Sequence, residues 1–154
     1  MNKLESIYNR TKTFNPFLIA EHEGIEYKYV EASLEFEGQT SNVLGKPLII
    51  LNSSLIDSPK KFVVMAHEVC HVLLHNGLIS YYTLGSLQQS KMEYEANKFT
   101  SILLINFFVE HTGDMPDSFQ AIKSAFMLED DYEKFYFDWR DYYSLIFKIQ
   151  YMKN

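Results

Sequence analysis

The sequence is short of several residue types, and each shortage excludes a class of protein. Cys70 is the one cysteine, so no internal disulfide can form and a reducing compartment is expected. With only six glycines and four prolines, the chain is neither a linker-rich nor a fibrous protein. We therefore expect one folded domain over residues 1–154.

Long apolar runs are also missing. Residues 1–17 have charges scattered through them and lack the apolar core of a signal peptide. The longest apolar stretch, residues 102–109, is interrupted by Asn106 and is too short to cross a bilayer. These features predict a soluble, cytoplasmic protein with no membrane partner.

Positive charge is scarce as well, and the net charge is −6. Basic runs are as short as Lys60-Lys61, so direct binding of nucleic acid is not expected. The acidic residues between Glu129 and Glu133 are interpreted as a solvated face. Docking of a basic partner protein is the alternative for that face.

Hydrophobic periodicity divides the chain into a small N-terminal sheet and a helical remainder. Two helices dominate the prediction: one over residues 59–75, which is apolar nearly all round and therefore buried, and one over residues 90–111. The other predicted segments are a helix over 3–13 ended by Asn15-Pro16, strands over 25–29, 34–37 and 47–51, a turn region over 38–45, an exposed loop over 78–89, and helical pieces from Asp117 onward. The predicted fold class is α+β.

The predicted helix over residues 59–75 contains the motif His67-Glu68-Val69-Cys70-His71. Residues four apart lie on one helix face, so both imidazoles can reach one metal ion. Glu68 lies about 100° round the helix and can reach a water activated by the metal. The motif could arise by chance, but burying these groups without partners would be costly. We therefore predict zinc bound by His67 and His71, with Glu68 as the general base of a peptidase.

His75 continues the series of histidines spaced by four, but helix geometry excludes it as a third ligand. It lies about 12 Å from His67 along the helix axis, so the two side chains cannot bind one ion. We expect His75 to act as a cation at the helix end or as a partner of a ligand histidine.

Glu93 and Glu95, on the second long helix, are the candidates for the third ligand. Each lies about 80° from the apolar stripe, on opposite sides, so the helical wheel does not decide between them. Asn97 favours Glu93, because it follows on the same face and its amide could orient a ligand histidine. The alternative for Glu93 is a capping box over residues 90–93.

Three segments resemble a known family in the expected order. They are residues 48–52, residues 61–75 around the two histidines, and residues 93–99 followed by Leu103-Leu104. Together they resemble the ImmA/IrrE family of metallopeptidases over roughly residues 20–106. Cys70 stands where the family usually has glycine, and Asn106 where it usually has proline.

The resemblance implies a gluzincin-like α+β fold, in which the small N-terminal sheet packs on the active-site helix and the C-terminal half is helical. It implies zinc bound by His67, His71 and Glu93, with Glu68 as the general acid/base. Members typically cleave a helix-turn-helix repressor and so relieve repression of phage, mobile-element or stress genes. Such a repressor is the implied partner.

Some roles stay open at the sequence level. A peptidase needs a donor for the developing oxyanion, and Tyr81, Tyr82, His75 and His111 are all candidates. Cys70 is not expected to be a nucleophile, because the motif already supplies an activated water. The alternatives to an enzyme are a zinc-stabilised anti-repressor that sequesters its partner uncut, and a scaffold whose histidines are merely packed.

Overall fold

Two short helices open the chain in a computed structural model that describes residues 3–33, 35–75 and 85–136. They are α1 (Lys3–Thr11) and α2 (Pro16–His22). The side-chain oxygen of Asn15 accepts a hydrogen bond from the backbone N–H of Phe17 at 2.9 Å, and Pro16 suits the first helical position. Asn15-Pro16 therefore separates two helices, of which sequence periodicity predicted only the first.

Among the residues that the structure describes, the sheet has three strands in the order β1-β3-β2. They are β1 (Glu26–Val30), β2 (Gly38–Val43) and β3 (Lys46–Asn52). Strand β1 runs parallel to β3, whereas β2 forms an antiparallel hairpin with it and lies at the edge. The predicted strands over 25–29 and 47–51 are confirmed.

The strand predicted over residues 34–37 is wrong for residues 35–37, because the strand forms over residues 38–43, which were predicted as a turn; residue 34 lies outside the described residues. The side-chain amide of Asn52 donates to three backbone carbonyls, including that of Phe36 at 2.7 Å, and so holds the segment before β2 as a loop. Strand β2 is polar because it is an edge strand, and its buried residue Thr40 faces a carboxylate rather than an apolar core.

Four further helices follow the sheet within the described residues: α3 (Lys60–Leu74), α4 (Ser86–Thr112), α5 (Phe119–Phe126) and α6 (Glu133–Tyr136). Helix α3 packs between the sheet and α4. Its core-facing side chains include Met65, Ala66, Val69 and Cys70, all fully buried. The α+β fold class and the buried helix are thus confirmed.

Helix α4 starts four residues before its predicted position, so the predicted loop over 78–89 is wrong for residues 86–89. Residues 78–84 of that loop lie outside the described residues. The first turn was missed because its side chains have no apolar stripe; Leu87 is largely exposed to solvent. The helix ends at Gly113, whose φ of 81° suits glycine.

The helical pieces predicted from Asp117 are confirmed as far as residue 136, and residues 137–154 lie outside the described residues. None of the helices in the described part of the chain combines the length and the apolar character needed to cross a membrane.

Candidate metal centre

Two histidines of α3 face the same point. The motif places His67 and His71 one helical turn apart, and their Nε2 atoms are 3.1 Å from each other. His71 is buried and His67 half-buried. Two imidazole nitrogens at this distance repel each other unless a cation or a shared proton lies between them, so the pair needs a partner.

The partner comes from α4. One carboxylate oxygen of Glu93 is 3.0 Å from the Nε2 atom of His67, and the other is 3.0 Å from that of His71. Ligand atoms of all three residues lie within 4.8 Å of one another. Two imidazoles and one carboxylate are the donor set of many catalytic zinc sites, whose donor atoms are about 3.3 Å apart. The three residues therefore fit a metal ion.

Glu95, the alternative third ligand, does not join this group. It lies about 200° round α4 from Glu93, and its carboxylate contacts the Nε2 atom of His75 at 3.1 Å. Helix rotation thus directs Glu95 to a different histidine, and the structure favours Glu93 as the third member of the group. The capping box predicted over residues 90–93 does not form either, because α4 begins at Ser86.

His75 lies on the far side of His71 from the metal-binding group. Its Nδ1 atom is 2.9 Å from the Nδ1 atom of His71, so the two rings are in direct contact. Burial lowers the pKa of His75, although the carboxylate of Glu95 acts in the opposite direction. The structure thus places His75 as the partner of a proposed ligand.

Glu68 lies beside the histidine pair, in a cleft of about 240 Å³ that His67 also lines. Its side chain is 8% exposed, and its Oε2 atom accepts a hydrogen bond from the Thr40 hydroxyl at 2.7 Å. Thr40 comes from β2 and was missed at the sequence level. Only correct assignment of the edge strand could have revealed it, since a lone threonine carries no motif signal.

Asn97 and Tyr132 form a second polar contact at the centre. Asn97 is close enough to the ring of His67 to raise its pKa, and the Tyr132 hydroxyl donates to the Oδ1 atom of Asn97 at 3.2 Å. Burial alone would lower the pKa of His67, but Glu93, Glu68 and Asn97 together raise it.

Tyr132 also lines the cleft that His67 and Glu68 line. Burial raises the pKa of its hydroxyl, and nearby carboxylates add to the effect, so the group stays protonated as a donor. Sequence reasoning missed it because it lies within the acidic run between Glu129 and Glu133. That run is exposed as predicted, apart from the half-buried Tyr132.

The other sequence candidates differ in what the structure says of them. Tyr81 and Tyr82 lie outside the described residues. His111 follows Glu93 on α4 by about 27 Å along the axis and contacts Phe107 instead. Cys70 is fully buried, and burial raises the pKa of its thiol to about 12, which is consistent with its dismissal as a nucleophile.

Comparison with known proteins identifies the family. Residues 22–111, more than half of the chain, match the sequence model of Peptidase_M78, described as the IrrE N-terminal-like domain. The chain belongs to this family. The matched range contains His67, Glu68, His71 and Glu93 and confirms the resemblance found in the sequence. No curated protein and no solved structure matches the chain significantly.

Membership in the IrrE N-terminal-like family makes metallopeptidase the broad functional class of the chain. The His67, His71 and Glu93 group supplies the possible metal site that this class requires. Tyr132 lies beyond the matched residues, so its place at the cleft comes from the structure alone.

Proposed function

We propose that the chain is a zinc-dependent endopeptidase in which His67, His71 and Glu93 bind the metal. The observation that carries the proposal is the convergence of two imidazoles and one carboxylate from two packed helices, in which the closest atoms of each pair of side chains are 3.0–3.1 Å apart. When bound there, zinc supplies a Lewis acid that lowers the pKa of a water ligand and polarises the scissile carbonyl.

Glu68 is the proposed general base. It is nearly buried, beside the proposed ligand His67, and outside the group of metal-binding atoms. It takes a proton from the attacking water and delivers it to the leaving amine as the C–N bond breaks. The hydrogen bond from Thr40 holds one carboxylate oxygen, which leaves the other for proton transfer.

Tyr132 is the proposed donor to the carbonyl oxygen as it becomes an oxyanion. Tyr132 lines the cleft shared with His67 and Glu68, and burial raises the pKa of its hydroxyl, which therefore stays protonated as a donor. In the free protein that hydroxyl donates to Asn97, which keeps it oriented before substrate arrives. Preorganised donors of this kind are among the largest contributors to catalysis.

An extended peptide is the substrate form that this cleft favours. Within the described residues β2 lies at the edge of the sheet beside β3, and extended peptides commonly bind by adding a strand at a sheet edge. Gly38 of this strand lines the same cleft as Glu68. A substrate strand added along β2 would therefore run past the proposed base and metal ligands.

The proposed substrate is a helix-turn-helix repressor, cleaved at one site in the cytoplasm. This part rests on the family resemblance, since members typically cut such repressors. The net charge of −6 and the short basic runs agree with a protein partner rather than direct contact with nucleic acid.

The test incubates zinc-loaded protein with the repressor encoded beside its gene and follows the repressor by intact mass spectrometry. Wild type should yield two fragments whose masses sum to the repressor plus one water, and Glu68→Gln should yield none. The matched control Glu21→Gln changes an exposed glutamate of α2 and should cleave like wild type.

Two other outcomes would contradict the proposal. If wild type and Glu68→Gln both inactivate the repressor without cutting it, the chain is a sequestering anti-repressor. If wild type binds no zinc, the proposal that His67, His71 and Glu93 form a metal site is wrong.

A further inference from the structure

We infer that Glu95 and His75 form a relay that fixes the tautomer and orientation of His71 and so strengthens metal binding. The inference rests on the proposed function only in taking His71 as a metal ligand. It gives a role to the glutamate that does not bind the metal.

Three side chains from two helices make the relay. Glu95 of α4 contacts the Nε2 atom of His75 at 3.1 Å, and the Nδ1 atom of His75 is 2.9 Å from the Nδ1 atom of His71. The opposite nitrogen of His71, Nε2, faces Glu93 at 3.0 Å. A continuous chain of contacts thus connects Glu95 to the proposed metal site.

Proton positions along this chain follow from one requirement. A metal at the Nε2 atom of His71 needs an unprotonated nitrogen there, so the neutral ring carries its proton on Nδ1. That Nδ1–H points at the Nδ1 atom of His75, which must then accept, leaving the His75 proton on Nε2. There it meets Glu95, whose carboxylate can only accept. Every group in the relay is then satisfied in a single arrangement.

The backbone reinforces the arrangement. His75 is the C-cap of α3, and its backbone N–H donates to the carbonyl of His71 at 3.1 Å. Its side chain is only 6% exposed, whereas that of Glu95 is 48% exposed. The imidazole is therefore held in place by packing, and a change at Glu95 alters its proton arrangement without opening the core.

Helix α4 holds both ligand histidines in this way. Asn97 acts on His67 directly, and Glu95 reaches His71 through His75. Helix α4 thus supplies one proposed ligand, at residue 93, and two residues, 95 and 97, that act on the two ligand histidines. Groups that orient ligand histidines typically change metal affinity by about 10–100-fold when they are removed.

The experiment measures the zinc dissociation constant by competition with a chromophoric chelator. The variants are Glu95→Ala, His75→Ala and the control Glu21→Ala. We expect zinc binding to weaken by about 10–100-fold in His75→Ala and by about tenfold in Glu95→Ala. The control should stay within about twofold of wild type, since an exposed glutamate of α2 does not contact the centre.

A second measurement distinguishes the relay from a merely structural role. Long-range ¹H–¹⁵N NMR of the zinc-loaded wild type should show His71 with its proton on Nδ1 and His75 with its proton on Nε2. In zinc-loaded Glu95→Ala the single His75 tautomer should be lost. Unchanged zinc affinity together with an unchanged His75 tautomer in that variant would overturn the relay.

Failure of the relay and failure of the proposed function give different results. A wild type that binds zinc with the expected tautomers but cleaves no protein supports the relay and contradicts the endopeptidase. If wild type cleaves its substrate, and Glu95→Ala and His75→Ala bind zinc as tightly as wild type, the relay alone is contradicted. A wild type that binds no zinc contradicts both.

Discussion

Helices α3 and α4 meet through two sets of histidine–glutamate contacts that have almost the same distances. Glu93 lies 3.0 Å from the nitrogens of His67 and His71, and Glu95 lies 3.1 Å from that of His75. Distance alone therefore does not distinguish a metal site from an ion pair. The sets differ in the number of donors that converge: three atoms at Glu93 and two at Glu95.

His71 is a member of the first set, contacts His75 of the second, and shows why the two sets differ. Its Nε2 atom faces Glu93 and His67, while its Nδ1 atom faces His75. One ring nitrogen is thus available for a metal and the other for a hydrogen bond. Convergence of three donors, rather than the presence of histidine and glutamate, makes the first set the candidate metal centre.

Removing one donor should turn the first set into a pair like the second. For wild type, free zinc at 100 times the dissociation constant should add about 2.7 kcal/mol of stability. In a chain of this size, that stabilisation raises the Tm by about 5–10 °C. We expect no such rise for His67→Ala, measured by thermal unfolding with and without zinc.

The control for that prediction is His22→Ala, which removes an exposed histidine of α2. It should keep the full zinc-dependent rise. If His67→Ala shows the same rise as wild type, two donors suffice and the distinction between the two sets is lost.

Catalysis at the Glu93 set should also depend on Tyr132, which lines the neighbouring cleft. Tyr132→Phe removes the hydroxyl but keeps the ring, so we expect kcat to fall by about 10²–10³-fold. The zinc content should stay at the wild-type level, because Tyr132 is not in the metal-binding group. Tyr27→Phe, in β1, is the matched control and should leave kcat unchanged. A Tyr132→Phe variant with wild-type kcat would exclude the oxyanion role.

A smaller effect is expected at Thr40, which contacts the proposed base rather than the metal ligands. Thr40→Val keeps the side-chain shape but removes the 2.7 Å hydrogen bond to Glu68. A hydrogen bond to a charged group contributes about 1.5 kcal/mol at the low end, so kcat should fall by about tenfold. Thr40→Ser restores the hydroxyl and should recover most of the rate; equal rates for the two variants would contradict the role.

The sequence contained enough information to predict α3 and its motif. The helix is apolar nearly all round and starts at a turn, so His67, Glu68 and His71 stood out against their surroundings. The same periodicity located α4 and left two glutamates as candidates. The helical angle alone could not decide between Glu93 and Glu95, because the rotation of α4 against α3 is set by packing between distant parts of the chain.

The contributions of β2 and of Tyr132 depend on tertiary contacts. Residues 38–43 show no apolar alternation, since the side chain that β2 buries is Thr40, which faces a carboxylate. The sequence pattern therefore predicted a turn. Tyr132 is surrounded by acidic residues that face solvent, and only its contact with Asn97 shows its place at the centre. Both residues complete the site from outside the motif.

The most direct test of the metal centre is the zinc content of purified protein after dialysis, measured by elemental analysis for wild type, Glu93→Gln and Glu95→Gln. We predict on the order of one zinc per chain in wild type and in Glu95→Gln, and almost none in Glu93→Gln, because a catalytic zinc site uses three protein ligands and a neutral amide is a much poorer zinc ligand than a carboxylate. Full zinc in Glu93→Gln, or loss of zinc in Glu95→Gln alone, would contradict the assignment of Glu93 as the third ligand.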